Sequence, residues 1–213
     1  MKKFLVLILT VIIVMGTFSG TASAMRISDY FDDVSEGMWY AVSIKSVVAK
    51  GLMNGVTDRK FEPQSPITRG MLTTIIYRIH GEPEAGSCNF EDVAKGSYYE
   101  KPIAWASECG ITNGVTATKF DPDASITREQ LVTILYRYCI YIGLDMNDRY
   151  QNKPITDYKD YKTISGYAVD AIKWATDMTL IIGDNGNFDP KGVATRAHAS
   201  SILNNFDNML RNR

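Results

Sequence analysis

Apolar residues recur along this chain in a helical rhythm that is broken and restarted at regular distances. Positions 41, 44, 47 and 48 share one helical face, and the run stops at Gly51, a residue suited to the turn after a helix. Leu52-Met53-Asn54-Gly55-Val56 is a short apolar stretch holding a turn. Phe61-Glu62-Pro63 reads as extended, because the residue before a proline avoids the helical region. Thr68 is then placed to cap a second helix, with apolar residues at 71, 72, 75, 76 and 79. Residues 28–80 therefore predict helix, loop, helix.

The same plan returns twice. In 89–142, Phe90-Glu91-Asp92-Val93 and Tyr98-Tyr99 precede a helix holding Ile103 and Trp105. Gly110 and Asn113-Gly114 follow, then a helix capped by Thr127 with Leu131, Ile134, Leu135 and Tyr138. The third unit, 155–207, has drifted most. Tyr158-Lys159-Asp160-Tyr161 opens it and Thr179 stands where the glycine stood, but Trp174, Gly183, Phe188, Pro190, Thr195 and Arg196 keep their places. Arg69, Arg128 and Arg196 lie 59 and 68 residues apart, as do Asp33, Asp92 and Asp160; the same offsets align Tyr40, Tyr99 and Tyr167. The linkers are 81–88 and 143–154. Units of this size are near the lower limit for folding alone, so the three are expected to form one domain around a shared core.

Residues 1–24 are set apart from this pattern. Lys2 and Lys3, an apolar run from Phe4 to Met15 and the small-residue site Ala22-Ser23-Ala24 are the parts of a secretory signal peptide. The apolar run is short of the ~20 residues a spanning helix needs, so no stable membrane insertion is expected after cleavage. Removing Lys2 and Lys3 takes the formal charge from −1 to −3. That balance gives nucleic acid no basic surface to bind. Cys88, Cys109 and Cys139 are an odd number with no metal-ligand or CxxC spacing; free thiols are favoured over one disulfide with a spare thiol.

Together the Phe-x-Asp-Val opening, the aromatic pair, the Gly-Leu/Ile-x-x-Gly turn, Phe-x-Pro and the Ile-Thr-Arg helix start resemble the surface-layer homology (SLH) repeat of bacterial envelope proteins, over residues 28–207. The resemblance implies a mostly α fold: three helix-loop-helix repeats packed as a pseudo-threefold spindle with a shared helical core. It also implies non-covalent attachment to a secondary cell-wall polymer or peptidoglycan-linked glycan, typically pyruvylated, in grooves between neighbouring repeats. Such repeats usually anchor a larger protein, whereas this reading leaves the chain no cargo domain. Where the family has Thr-Arg-Ala-Glu, this chain has Met71, Gln130 and His198 at the glutamate position, so only the second repeat keeps a partner for a capping box.

Candidate glycan-binding residues follow the repeat. Arg69, Arg128 and Arg196 fall at the first position of a helix, whose free N–H groups and dipole, with a planar guanidinium, suit a carboxylate. Alternatively each arginine pairs with Asp33, Asp92 or Asp160 and only orders a loop. Gly55, Gly114 and Gly183 suit a turn needing positive φ or close backbone approach; the resemblance adds that a sugar can then sit near the backbone. Trp39, Trp105 and Trp174 all read as core ahead of sugar platforms, and Trp39, at a loop–helix junction, is the better platform of the three. His198 reads as a surface cap, and Asp184-Asn185-Gly186-Asn187 as an Asx-type turn without the later glutamate of a calcium loop. No nucleophile–base pair, phosphate loop or paired-carboxylate motif is present, so no catalytic residue, metal or cofactor is assigned. The expected function is a secreted, non-catalytic cell-wall module of the S-layer zone that binds anionic polysaccharide, with other envelope proteins as further partners. The alternative is an envelope scaffold that keeps the fold without binding glycan.

Overall fold

A computed structural model describes residues 26–144 and 154–212. The leader assigned to 1–24 and most of the 143–154 linker lie outside the described residues. The fold is mostly α, as expected. The described residues form six α-helices: α1 (Ala41–Ala49), α2 (Arg69–Ile79), α3 (Glu100–Glu108), α4 (Arg128–Tyr141), α5 (Val169–Asp177) and α6 (Arg196–Arg211). Among the described residues, β pairing is limited to isolated bridges.

The repeats interlock. The second helix of each repeat packs most extensively on the first helix of the next: α2 on α3, α4 on α5, and α6 back on α1. A backbone cycle lies beneath these pairs. Ile67 N–H donates to the Ala194 carbonyl (3.0 Å), Ile126 N–H to Ile67 (3.0 Å), and Ala194 N–H to Ile126 (2.9 Å). All three residues are fully buried. A single apolar cluster draws on every repeat, from Phe61 through Ile134 to Phe206, with a satellite of Val93, Ile103 and Phe120. Cys139 is buried, Cys88 and Cys109 are half-buried, and none of the three is in a disulfide.

Thr68, Thr127 and Thr195 cap α2, α4 and α6, accepting from the third-position N–H at 3.2–3.3 Å. Of the three, only α4 has the reciprocal capping box, with Thr127 N–H donating to Gln130 Oε1 at 2.9 Å. The first two N–H groups of each helix are not free. Arg69 and Gly70 donate to the carbonyls of Ala124 and Pro122, Arg128 and Glu129 to Gly192 and Pro190, and Arg196 and Ala197 to Ser65 and Pro63.

The Phe-x-Pro segments depart from the expected extended form. Glu62, Asp121 and Asp189 have φ of 56°, 61° and 55°, left-handed values. The reason is the aspartate of the opening motif. Asp33 accepts from both Phe61 N–H (2.9 Å) and Glu62 N–H (2.7 Å), and such a double grip needs successive N–H groups turned the same way. Asp92 and Asp160 grip Phe120–Asp121 and Phe188–Asp189 identically.

One register needs correction. Tyr40, Tyr99 and Ala168 precede α1, α3 and α5, so Tyr167 is the counterpart of Trp39 and Tyr98, not of Tyr40. The third repeat has one extra residue before Tyr167 and one fewer in the turn at 184–187. The two changes cancel, so 28 residues separate Asp33 from Phe61, Asp92 from Phe120 and Asp160 from Phe188. The shortened turn is a tight one: Asn185 and Gly186 both take positive φ (50° and 81°) between the bridged Asp184 and Asn187.

The sequence reading also missed a buried acid. Glu129 is 2% exposed and accepts from Ser165 N–H (3.1 Å), Ser165 Oγ (2.9 Å), Tyr167 Oη (2.9 Å) and Lys191 Nζ (2.6 Å). Burial works to raise its pKa, but the bonds from Lys191, Ser165 and Tyr167 prevail and hold the carboxyl below its ordinary value.

Two stability predictions follow from these local environments. Thr179 has φ 55° where Gly51 and Gly110 have 68°, an unfavourable conformation for a β-branched residue. Thr179→Gly should stabilise by about 1 kcal/mol in urea unfolding; a loss of stability would show the strain to be compensated. Glu129→Ala should destabilise by about 2 kcal/mol at pH 7. Because the folded-state pKa is depressed, that contribution is present above the ordinary value of 4.5 and fades as pH falls through the folded value. Wild type and variant should therefore converge in acid, and a gap constant with pH would overturn the assignment.

Candidate functional site

The three helix-start arginines are buried, at 5–8% exposure, and each reaches into the following repeat. Arg69 Nε donates to the Phe120 carbonyl (3.0 Å) and Nη2 to the Asn113 carbonyl (2.8 Å). Arg196 repeats this on Phe61 (2.7 Å) and Asn54 (2.6 Å), closing the cycle onto the first repeat. Arg128 Nε donates to Phe188 (2.9 Å). Its second carbonyl contact is missing among the described residues, and Ile182 stands where the others have asparagine. The guanidiniums lie over the rings of Phe120, Phe188 and Phe61, with centroid distances of 4.7, 5.5 and 4.4 Å.

Neither expected partner is present. The helix N–H groups are taken by carbonyls, and Asp33, Asp92 and Asp160 spend both oxygens on backbone N–H groups instead of pairing with arginine. Burial holds each guanidinium below its ordinary pKa. The leading opposition comes from the left-handed acid of the repeat it enters: Asp121 for Arg69, Asp189 for Arg128 and Glu62 for Arg196. An arginine loses little charge under such a shift, so each remains a cation, and Arg128 and Arg196 each border a groove.

The grooves beside Arg196 and Arg128 each draw on all three repeats. Beside Arg196, a groove of about 510 Å³ is walled by the 52–56 loop and by Tyr98. Beside Arg128, one of about 690 Å³ is walled by the 182–189 turn and by Trp39. Arg69 stands in the third position, against the 113–121 loop and within electrostatic reach of Tyr167. Trp39, Tyr98 and Tyr167 are 58%, 57% and 53% exposed, unlike Trp105 and Trp174 in the core. Trp39 stacks on His198 with ring centroids 5.4 Å apart. His198 Nδ1 lies 3.1 Å from the Thr195 hydroxyl; burial, then Arg128, holds its pKa below the ordinary value.

Gly55, Gly114 and Gly183 are not at positive φ. A Cβ there would come within 2.5, 2.5 and 2.6 Å of the rings of Phe31, Phe90 and Tyr158, the first residues of the opening motifs. The turn thus closes on its own repeat's aromatic ring, and that packing alone demands glycine.

Sequence reasoning missed Tyr98, Tyr167 and Arg78 as groove residues. The sign for Tyr167 was available: Trp174 follows it by seven residues, as Trp105 follows Tyr98. Among the described residues, no group of His, Cys, Asp and Glu could hold a metal ion, and no helix is long and apolar enough to cross a membrane.

Because each arginine is a strut between repeats, truncating it should act on stability first. Arg69→Ala removes two carbonyl contacts and a ring contact, and should lower the unfolding free energy by about 2–4 kcal/mol. Chemical denaturation measures this, and a fully stable variant would show the strut to be dispensable.

The S-layer homology domain family model matches residues 30–70, 89–132 and 157–200, together more than half of the chain. The chain is 31% identical over 186 residues to exoglucanase XynX of Acetivibrio thermocellus, covering 85% of this chain and 16% of that protein. It is 27% identical over 199 residues to the surface-layer 125 kDa protein of Lysinibacillus sphaericus, covering 92% and 16%. With the cellulosome-anchoring protein of Acetivibrio thermocellus it shares 30% over 113 residues, covering 50% and 25%. In each case the chain spans a quarter or less of the relative. Three matched segments, each with a Thr-capped helix whose arginine enters the next repeat, lead to one conclusion: this chain belongs to the S-layer homology domain family.

Proposed function

We propose that this chain is a non-catalytic module that holds to the bacterial cell surface by binding anionic, pyruvate-bearing secondary cell-wall polysaccharide. The observation that carries this reading is the recurrence of a buried arginine's edge beside a half-exposed aromatic, with the two supplied by different repeats. A pyruvate ketal puts a carboxylate on a sugar face. The guanidinium suits the first and the aromatic ring the second. Family membership and relatives named as surface-layer and anchoring proteins favour a cell-surface location, as does the leader assigned to 1–24. The relatives named for glycan hydrolysis share only 9–22% of their length with this chain, so their activity belongs to those whole proteins. Other envelope proteins are its further partners.

A scaffold without glycan binding is the second reading. It is favoured by the arginines themselves, which the fold needs whether or not a ligand exists.

Exposed aromatics separate the two readings without disturbing the struts. Tyr98→Ala should melt like wild type and weaken co-sedimentation with cell-wall sacculi by about tenfold. Wild type should lose the sacculi once acid removes the secondary polymer. Equal recovery on stripped wall, or binding unchanged in Tyr98→Ala, rejects the glycan reading in favour of the scaffold.

A further inference from the structure

The grooves at Arg196 and Arg128 are alike in architecture and unlike in charge. Beside Arg196 a second guanidinium, that of Arg78 on α2, lines the same cavity. The remaining walls include Tyr98, Asn54, Thr74 and the apolar Val56, Met71 and Ile75, and among the described residues no carboxylate lines it. The nearby acids are committed: Asp33 to two backbone N–H groups, and Glu62 to the Ser65 hydroxyl at 2.9 Å. Arg78 is held to the wall by one bond, Nη1 to the Leu52 carbonyl at 3.2 Å. Arg196 spends two of its five N–H donors on carbonyls. Two forks therefore offer unspent donors to one cavity; at the Tyr98 hydroxyl, burial and then Asp123 raise the pKa and the two arginines oppose them.

The Arg128 groove has one guanidinium facing Asp160, Asp184 and Asp189. Asp160 is spent on backbone, but Asp184 is exposed and occupies the position of Val56 and Val115. His198 lies on the floor beside Arg128 without adding positive charge near neutral pH. An anion entering there meets at least as much repulsion as attraction.

We infer that the Arg196 groove is the carboxylate-selective site of this chain, that Arg78 is its specificity-determining second cation, and that the Arg128 groove excludes anions. This ranks first the groove built on the most drifted helix start. The inference rests on the proposed glycan function.

The test titrates the full chain with a pyruvate-ketal methyl hexoside, and separately with the same hexoside lacking the ketal. The ketal form should shift the Arg196 and Arg78 side-chain Nε–H resonances and leave that of Arg128 in place, a readout that needs no variant. Val56→Asp imports the acid of the third repeat, and Arg78→Gln removes the second cation; each should weaken the ketal sugar by about tenfold or more. Asp184→Val should leave the affinity of the Arg196 groove within about twofold while letting the ketal sugar move the Arg128 resonance, which it does not do in the wild type. Movement of the Arg128 resonance in the wild-type chain, or ketal affinity unchanged in both Val56→Asp and Arg78→Gln, overturns the groove assignment while leaving glycan binding intact. Equal affinity for both sugars, or no binding by any chain, rejects the anionic-glycan reading and this inference with it.

Discussion

A helix start carries donors that its own helix cannot satisfy, and burying three such starts together is the constraint on which this structure depends. The solution is reciprocal. Each repeat lends its loop carbonyls to the helix start of the preceding one, and the Ile67–Ala194–Ile126 bonds close the circuit beneath. No repeat can complete this accounting by itself. The arginines extend the same logic to side chains, since each places its guanidinium on a neighbour's phenylalanine ring and its N–H groups on a neighbour's carbonyls.

That arrangement is what holds the left-handed residues in place. Glu62, Asp121 and Asp189 each take a conformation that costs a non-glycine residue of order 1 kcal/mol or more. They persist because the geometry is over-determined. An aspartate grips the segment from one side, while the neighbouring helix draws on the carbonyl of the following proline from the other. The acid so positioned then lies near the incoming arginine. Strain, charge placement and repeat docking are thus one event, met three times in the chain.

Most of the fold was legible because it rests on local grammar. Thr68, Thr127 and Thr195, the apolar spacing of α2 and α4, and the glycine after α1 each announce an element within a few residues. The failures were of two kinds. The Tyr167 register was hidden by an insertion and a deletion that cancel over the Asp160–Phe188 interval, leaving the conspicuous spacings intact. The arginine environment was hidden because its partners, such as Phe61 for Arg196, are carbonyl groups 135 residues away, and a carbonyl carries no mark of residue type. Glu129 failed for a related reason: its neighbours Ser165, Tyr167 and Lys191 come from another repeat and are ordinary surface residues taken singly. The candidate aspartates and glycines were found, though they work for the protein's own packing.

Linear repeat arrays grow and shrink at their ends, because each unit contacts only its neighbours and a terminal unit is merely capped. Here α6 returns to α1 and Arg196 to Phe61, so the third repeat is also a neighbour of the first. A circuit of this kind has no terminus at which a fourth unit can be appended. Duplication of one repeat would supply a helix start with no loop to receive it, and loss of one would orphan another. The architecture therefore evolves in whole triplets, with divergence confined to what each repeat shows its groove. One groove can turn acidic while its sibling stays cationic, and the frame that joins them registers no difference.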